Sequence, residues 1–301
     1  MKQKTISSST IWMMNQYLRI FVTPDMKGTI KAFFILFILI NSFALVGQEE
    51  NKLSYDIDNP DETYVLPEYL EEVSALTFYQ KDQLSMLNDE KGRMYVLDLN
   101  LRKIVHRVRF EGNGDFEGIE RVGDDIYAIE SNGKLYRFSV KMEGVVEKIK
   151  TPFDAGNDVE GLGYDAQTGY LLIALKDDGD IKDVDVKGKS IYGFHIPTQE
   201  FKKIPLYVIQ HKDLKRVLGD KYKFNPSGVA VHPFTREIYV IAASGQSLLV
   251  LSPQGKPLHL SRLKSRIFPQ PEGIAFAPNG DLFISSEVEG EGGIILKFAA
   301  K

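Results

Sequence analysis

Five short segments decide the reading of this chain: Glu72-Val-Ser-Ala-Leu, Glu117-Gly-Ile-Glu, Glu160-Gly-Leu-Gly-Tyr, Ser227-Gly-Val-Ala-Val and Glu272-Gly-Ile-Ala-Phe. They recur at intervals of 45, 43, 67 and 45 residues. A period near 45 is that of a four-stranded propeller blade. Each copy is followed by a second β-rich run, such as Ile126-Tyr-Ala-Ile or Leu282-Phe-Ile-Ser, and then a third, such as Leu135-Tyr-Arg-Phe or Ile294-Ile-Leu-Lys-Phe. Turn signals at Lys91-Gly92, Asn132-Gly133, Thr168-Gly169 and Asn279-Gly280 separate the runs.

The long interval holds a charged loop, Asp177 to Lys189, and a helix-like stretch, His211 to Tyr222. A fourth, outermost strand is predicted at 103–110, 146–151, 200–209 and 257–264, but the chain stops soon after the third strand of the fifth repeat. An open blade would leave an unpaired edge. Leu53-Ser-Tyr-Asp-Ile, ahead of the first repeat, is the expected closing strand. The fold class expected is therefore all-β: a five-bladed β-propeller over residues 69–301, with residues 48–68 as linker and closing strand.

Working outward, Ala32 to Val46 is an uncharged apolar run preceded by Lys27 and Lys31. It is short for a membrane span and suited to the apolar region of a signal peptide. Ser42, Ala44 and Gly47 offer cleavage points. Residues 26–47 are thus expected to be a signal peptide or an uncleaved membrane anchor, and residues 1–25 an upstream extension or long leader, with Met26 as an alternative start. The expected location is the periplasm or cell envelope; the alternative is attachment to the inner membrane. The chain has no cysteine, which excludes disulfides and lipobox acylation.

Of 37 basic and 41 acidic residues, removal of residues 1–47 takes five and one, leaving 32 against 40 and a net charge of −8. Such a surface repels phosphate backbones, so nucleic acid is not an expected partner. Membrane contact is expected only through the N-terminal segment, and a small-molecule or protein ligand at a propeller face.

The repeat puts Glu72, Glu117, Glu160 and Glu272 at one position, with Ser227 in the remaining copy. Innermost strands line a propeller's channel, so equivalent positions form a ring. Converging carboxylates raise one another's pKa, and a bound cation relieves the conflict. Oxygen donors favour calcium, with Asn157, Asp158, Asn225 and Gln270 as further donors near the same rim. In a competing reading the Glu side chains cap neighbouring backbone amides. The Asp177–Lys189 loop departs from the EF-hand pattern by lacking its final Glu, which makes it a solvated loop or a weak second calcium site.

Beyond the repeat itself, Leu66-Pro-Glu-Tyr-Leu-Glu-Glu-Val-Ser-Ala-Leu, Asp115-Phe-Glu-Gly-Ile-Glu, Asn157-Asp-Val-Glu-Gly-Leu-Gly-Tyr, Phe224-Asn-Pro-Ser-Gly-Val-Ala-Val-His-Pro and the stretch from Pro271 to Glu287 resemble the SdiA-regulated (YjiK-like) family of bacterial envelope proteins. The resemblance covers roughly residues 60–300. It implies a five-bladed propeller distantly similar to NHL repeats, a calcium site and an N-terminal export or membrane segment, and brings no established reaction. Calcium-bearing propellers also include lactonases and esterase-like phytases, so a calcium-dependent hydrolase stands beside the binding or scaffold reading. That chemistry needs a metal with an open position and a proton carrier. Only His232, in Val231-His232-Pro233, lies near a repeat motif, and it reads better as the end of a strand.

Overall fold

The computed structural model describes residues 53–218 and 222–301; the segments expected to be an upstream extension (1–25) and a signal peptide or anchor (26–47) lie outside them. The described chain forms five antiparallel sheets in sequence order, the blades of a propeller. Blade 1 consists of Ala75–Gln80, Gln83–Asn88, Lys91–Asp98 and Lys103–Asn113. Blade 2 runs through Phe116–Val122, Asp125–Glu130, Leu135–Ser139 and Met142–Ile149. Blade 3 has Val159–Asp165, Tyr170–Asp178 and Lys189–His195, with an outer strand split into Glu200–Phe201 and Tyr207–Ile209. The helix His211–Leu218 follows. Blade 4 contains Asn225–Val231, Ile238–Ser244, Ser247–Leu251 and Pro257–Arg262. Blade 5 contains Gln270–Phe276, Leu282–Glu287 and Ile294–Phe298.

An N-terminal strand closes the last blade, but it is Glu62–Val65, paired antiparallel with Ile294–Lys297. The expected segment, Leu53–Ile57, instead packs as a plug. Tyr55 is buried, its hydroxyl donates to the Gly280 carbonyl at 2.6 Å, and Leu53 and Ile57 rest against the core between blades 4 and 5. Pairing follows the alternation of Glu62-Thr-Tyr-Val, in which Tyr64 is buried and its neighbours are not. Leu53-Ser-Tyr-Asp-Ile also alternates, so pattern alone could not separate the two segments.

The apolar side chains of the described residues gather in five clusters, one at each junction between neighbouring blades. Tyr127, Tyr136, Tyr192 and Tyr239 are among the largest fully buried side chains. Each blade is too thin to bury both faces alone, so closure of the ring is the main source of apolar burial. Turns at Gly133, Gly169 and Gly280 use positive φ values of 82°, 73° and 91°, conformations that cost glycine little. Gly92 differs from its expected turn role: it is a buried strand residue, and a Cβ there would lie 2.6 Å from Cβ of Glu111 on the adjoining strand.

Candidate functional site at one end of the channel

Strand pairing fixes the equivalence of positions around the channel. Ile119 pairs with Ala128, Leu162 with Ile173, Val229 with Val240, Ile274 with Ile284, and Leu76 with Met86. Counting back two residues from each first partner gives an inner ring of Ser74, Glu117, Glu160, Ser227 and Glu272. Glu72 is therefore not at the ring position. The five-residue resemblance at Glu72-Val-Ser-Ala-Leu is displaced by two, because Val73-Ser-Ala-Leu is the true counterpart of Phe116-Glu-Gly-Ile. Two residues further back lies an outer ring of Glu72, Asp115, Asp158, Asn225 and Gln270.

The ring residues are aimed by an irregularity in the backbone. Pairing shifts register between Phe116 and Gly118, Val159 and Gly161, Pro226 and Gly228, and Pro271 and Ile274. Glu117, Glu160, Ser227 and Glu272 thus sit within β-bulges, which re-aim a side chain out of the sheet's alternation. The glycine after the bulge permits close approach between blades: a Cβ at Gly228 would stand 2.6 Å from the Glu272 carbonyl oxygen. The two serines serve as latches. Ser74 Oγ donates to the Phe116 carbonyl at 2.6 Å, and Ser227 Oγ to the equivalent Pro271 carbonyl at 2.7 Å.

The second strands complete the mouth. Asp89, Ser131, Lys176, Ala243 and Glu287 occupy equivalent places five residues after Leu84, Ile126, Leu171, Ile238 and Leu282. Lys176 Nζ donates to Glu160 at 2.6 Å and lies 3.4 Å from Asp158, so blade 3 carries its own counter-charge. Gln270 Nε2 bridges Glu272 at 3.0 Å and Glu287 at 2.6 Å. Asn157 turns away: its amide donates to the Asp180 carbonyl, and the Asp180 carboxylate accepts from the Val186 amide. Those bonds tie the 177–189 loop to itself and to blade 3.

Burial, followed by the negative charges of Glu160, Asp115 and Glu272, pushes the Glu117 carboxyl up to about 10. Glu272 is raised to about 8 by burial and then by Glu287 and Glu160. Glu160 reaches about 7, burial being partly offset by Lys176. Burial with the charges of Asp89 and Glu72 raises Glu287 to about 7, and burial with Glu72 raises Asp89 to about 6. Eight acids, Glu72, Asp89, Asp115, Glu117, Asp158, Glu160, Glu272 and Glu287, thus share one end of the channel with a single lysine at the three sets of equivalent positions. The donor set is oxygen only, which suits a hard cation. No three His, Asp or Glu side chains among the described residues are nevertheless drawn into a ready-made metal cage.

Sequence reasoning named the three inner-ring acids and, on the outer ring, Glu72, Asp158, Asn225 and Gln270, and missed Ser74, Asp115, Asp89, Glu287 and Lys176. Asp115 precedes Glu117 as Asp158 precedes Glu160, so it was readable; the second-strand residues required aligning those strands as well. The opposite end of the channel opens into a cavity of about 640 Å³ bordered by Glu120, Arg121, Asp165, His232 and Arg236. His232 follows directly on its strand, which ends at Val231. Its Nδ1 accepts from the Thr235 amide at 3.1 Å, its Nε2 meets the Tyr55 hydroxyl at 3.0 Å, and burial lowers its pKa.

The geometry defines a five-bladed β-propeller with a carboxylate-rich channel mouth. The chain belongs to the SdiA-regulated family, whose model matches residues 52–289. Among solved structures it is similar to glutaminyl cyclase of Myxococcus xanthus, at 16% identity over 79% of this chain and 94% of that one, with a TM-score of 0.56. A luciferin-regenerating enzyme matches at 12% identity over 80% and 95% of the two chains, with a TM-score of 0.49. Virginiamycin B lyase from Staphylococcus aureus matches at 12% identity over 71% and 63%, with a TM-score of 0.43. At such identities the likeness to the cyclase speaks for the fold alone.

Proposed function

We propose that this chain is an exported calcium-binding propeller that acts as a binding or scaffold module in the cell envelope. The observation that carries the cation is the concentration of eight carboxylates and one lysine at one end of the channel, with five of the acids held at raised pKa. Glu117, Glu160 and Glu272 would hold calcium from the inner ring, with Glu72, Asp158 and Asn225 on the outer ring and Glu287 and Asp89 beside them. The ion would neutralise the mouth and draw these side chains together.

Export rests on the apolar run 32–46 after Lys27 and Lys31, followed at once by Gln48-Glu-Glu-Asn. Residues 26–47 would be the signal or anchor and the propeller the exported body. Among the described residues, none of the five histidines lies at the acidic mouth, so the proton carrier a hydrolase of lactonase type needs would have to be one of the carboxylic acids themselves. Glu160 and Glu287, raised to about 7, could carry that proton, so a calcium-dependent hydrolase is the second reading.

The test is thermal unfolding of the full chain after chelation and after adding calcium. A ligand held only by the folded state stabilises by RT ln(1 + [L]/Kd), about 2.7 kcal/mol at 100 times Kd. Melting should rise with calcium and fall with chelator. An unchanged melting temperature at millimolar calcium would overturn the metal assignment.

A further inference from the structure

On the periphery of blade 1, remote from the channel rings in strand order, a groove of about 440 Å³ is bordered by Tyr69, Tyr95, Lys91, Arg93, Arg107 and Arg109. The charge pattern there is unusual for sheet pairing. Arg93 and Arg109 are directly opposed cross-strand partners, and Arg107 is opposed to Tyr95. Like charges in direct opposition destabilise a sheet unless something lies between them.

No acid among the described residues fills that role. None of the ion pairs among the described residues involves Lys91, Arg93, Arg107 or Arg109. Glu111, the one carboxylate among the described residues bordering the groove, is engaged by Lys148 Nζ and by the Gly112 amide. Arg109 spends only its Nε, on the Glu111 carbonyl at 3.1 Å. Arg93 is half-buried, where an uncompensated guanidinium is costly.

The groove is also pre-shaped. The Arg107 guanidinium lies 4.5 Å over the Tyr69 ring and 6.0 Å from that of Tyr95, and its Nη2 donates to the Tyr69 hydroxyl at 2.6 Å. Rings that hold a guanidinium by its face leave its edge for hydrogen bonding. Gly92 keeps the floor low, since a side chain there would collide with Glu111.

We propose that this groove is an anion-binding site for a small phosphorylated ligand, with the Arg93 and Arg109 side chains clasping one phosphoryl group over the face of the paired strands and Lys91 and Arg107 closing on it. Planar guanidinium forks match the oxygens of a phosphate in pairs. A polyanion is disfavoured because the surrounding protein is acidic, with a net charge of −8 over residues 48–301. The volume suits a single phosphate ester or pyrophosphate group.

The test is isothermal titration of the full chain with inorganic pyrophosphate and with glucose 1-phosphate. Vesicles of phosphatidylglycerol in phosphatidylcholine form a separate arm, and all runs use chelator at about 50 mM salt, where phosphate contacts are least screened. Chelator prevents pyrophosphate from acting by stripping a divalent cation. Saturable binding of the soluble phosphates identifies a free ligand; binding of vesicles alone, and only where it is lost in the Arg93→Gln, Arg109→Gln variant and so is not due to the apolar run 32–46, identifies a lipid headgroup as the source of the same group. Replacing Arg93→Gln together with Arg109→Gln should weaken binding by about tenfold or more, the consequence of losing charge-assisted hydrogen bonds. The anion-free variant should melt no lower than the parent, because a like-charge opposition is relieved. Should the double variant fail to fold, Arg109→Gln at its exposed position carries the same comparison. Absence of saturable binding in all arms, equal binding by the variant, or tighter binding of a single-stranded oligonucleotide than of the soluble phosphates would overturn the proposal.

Discussion

Replacing Glu272 by Gln should stabilise the cation-free protein at neutral pH and leave it unchanged in acid. Glu272 is only 8% exposed and its carboxyl is raised from 4.5 to about 8, by burial and by Glu287 and Glu160. Its folded pKa exceeds its unfolded one, so between these values the folded state holds the proton that the unfolded chain releases. Stability is then fully retained below the unfolded pKa and declines as pH rises toward 8. Each pH unit in that interval costs about 1.4 kcal/mol, or about 3 kcal/mol by pH 7 if water at the mouth screens nothing. Screening leaves about 1–3 kcal/mol. Gln keeps the shape and an oxygen that can accept from Gln270, and removes the charge.

Urea unfolding of parent and E272Q in chelator at pH 4.5, 6 and 7.5 measures the effect directly. The variant should gain little at pH 4.5 and about 1–3 kcal/mol at pH 7.5. In millimolar calcium the order should reverse, because the parent keeps a ligand that the variant lacks. A variant less stable than the parent at pH 7.5 in chelator, or a gain that does not change with pH, would refute the electrostatic account. Glu272 would then be a structural acceptor.

Replacing Lys176 by Gln removes the counter-charge beside Glu160 and Asp158, so melting in chelator at pH 8 should fall and the upward shift caused by calcium should grow, both readable by differential scanning fluorimetry. Tyr55→Phe removes the hydroxyl bonded to Gly280 and His232 and should cost about 1 kcal/mol in urea unfolding. Deleting residues 48–66, which takes Glu62–Val65 from the blade 5 edge, should do far more, with concentration-dependent aggregation followed by light scattering. N-terminal sequencing of protein from its native envelope should begin between Leu45 and Glu50, with Trp12 absent; an intact N-terminus would show that the segment is retained as an anchor.

The family, the number of blades and the acidity of the channel were legible in the sequence because a blade is a local object. Its hairpins are short, its alternation has period two, and its repeats keep one spacing wherever no loop is inserted. Glu117, Glu160 and Glu272 fall into one register because Glu-Gly marks each of their bulges. Blade 1 lacks that mark: Ser74 stands at the ring position before Ala75, and nearby Glu72 imitates the motif two residues early. Only cross-strand pairing, Leu76 with Met86, corrects it. Closure is likewise decided in three dimensions. Leu53–Ile57 and Glu62–Val65 have similar patterns, and the choice between plug and strand depends on which one meets the free edge of Ile294–Phe298 while Tyr55 reaches Gly280. The placement of Lys176 within reach of Glu160, and of Arg93 opposite Arg109, also comes from pairing between strands, where a shift of one residue would turn each side chain to the other face.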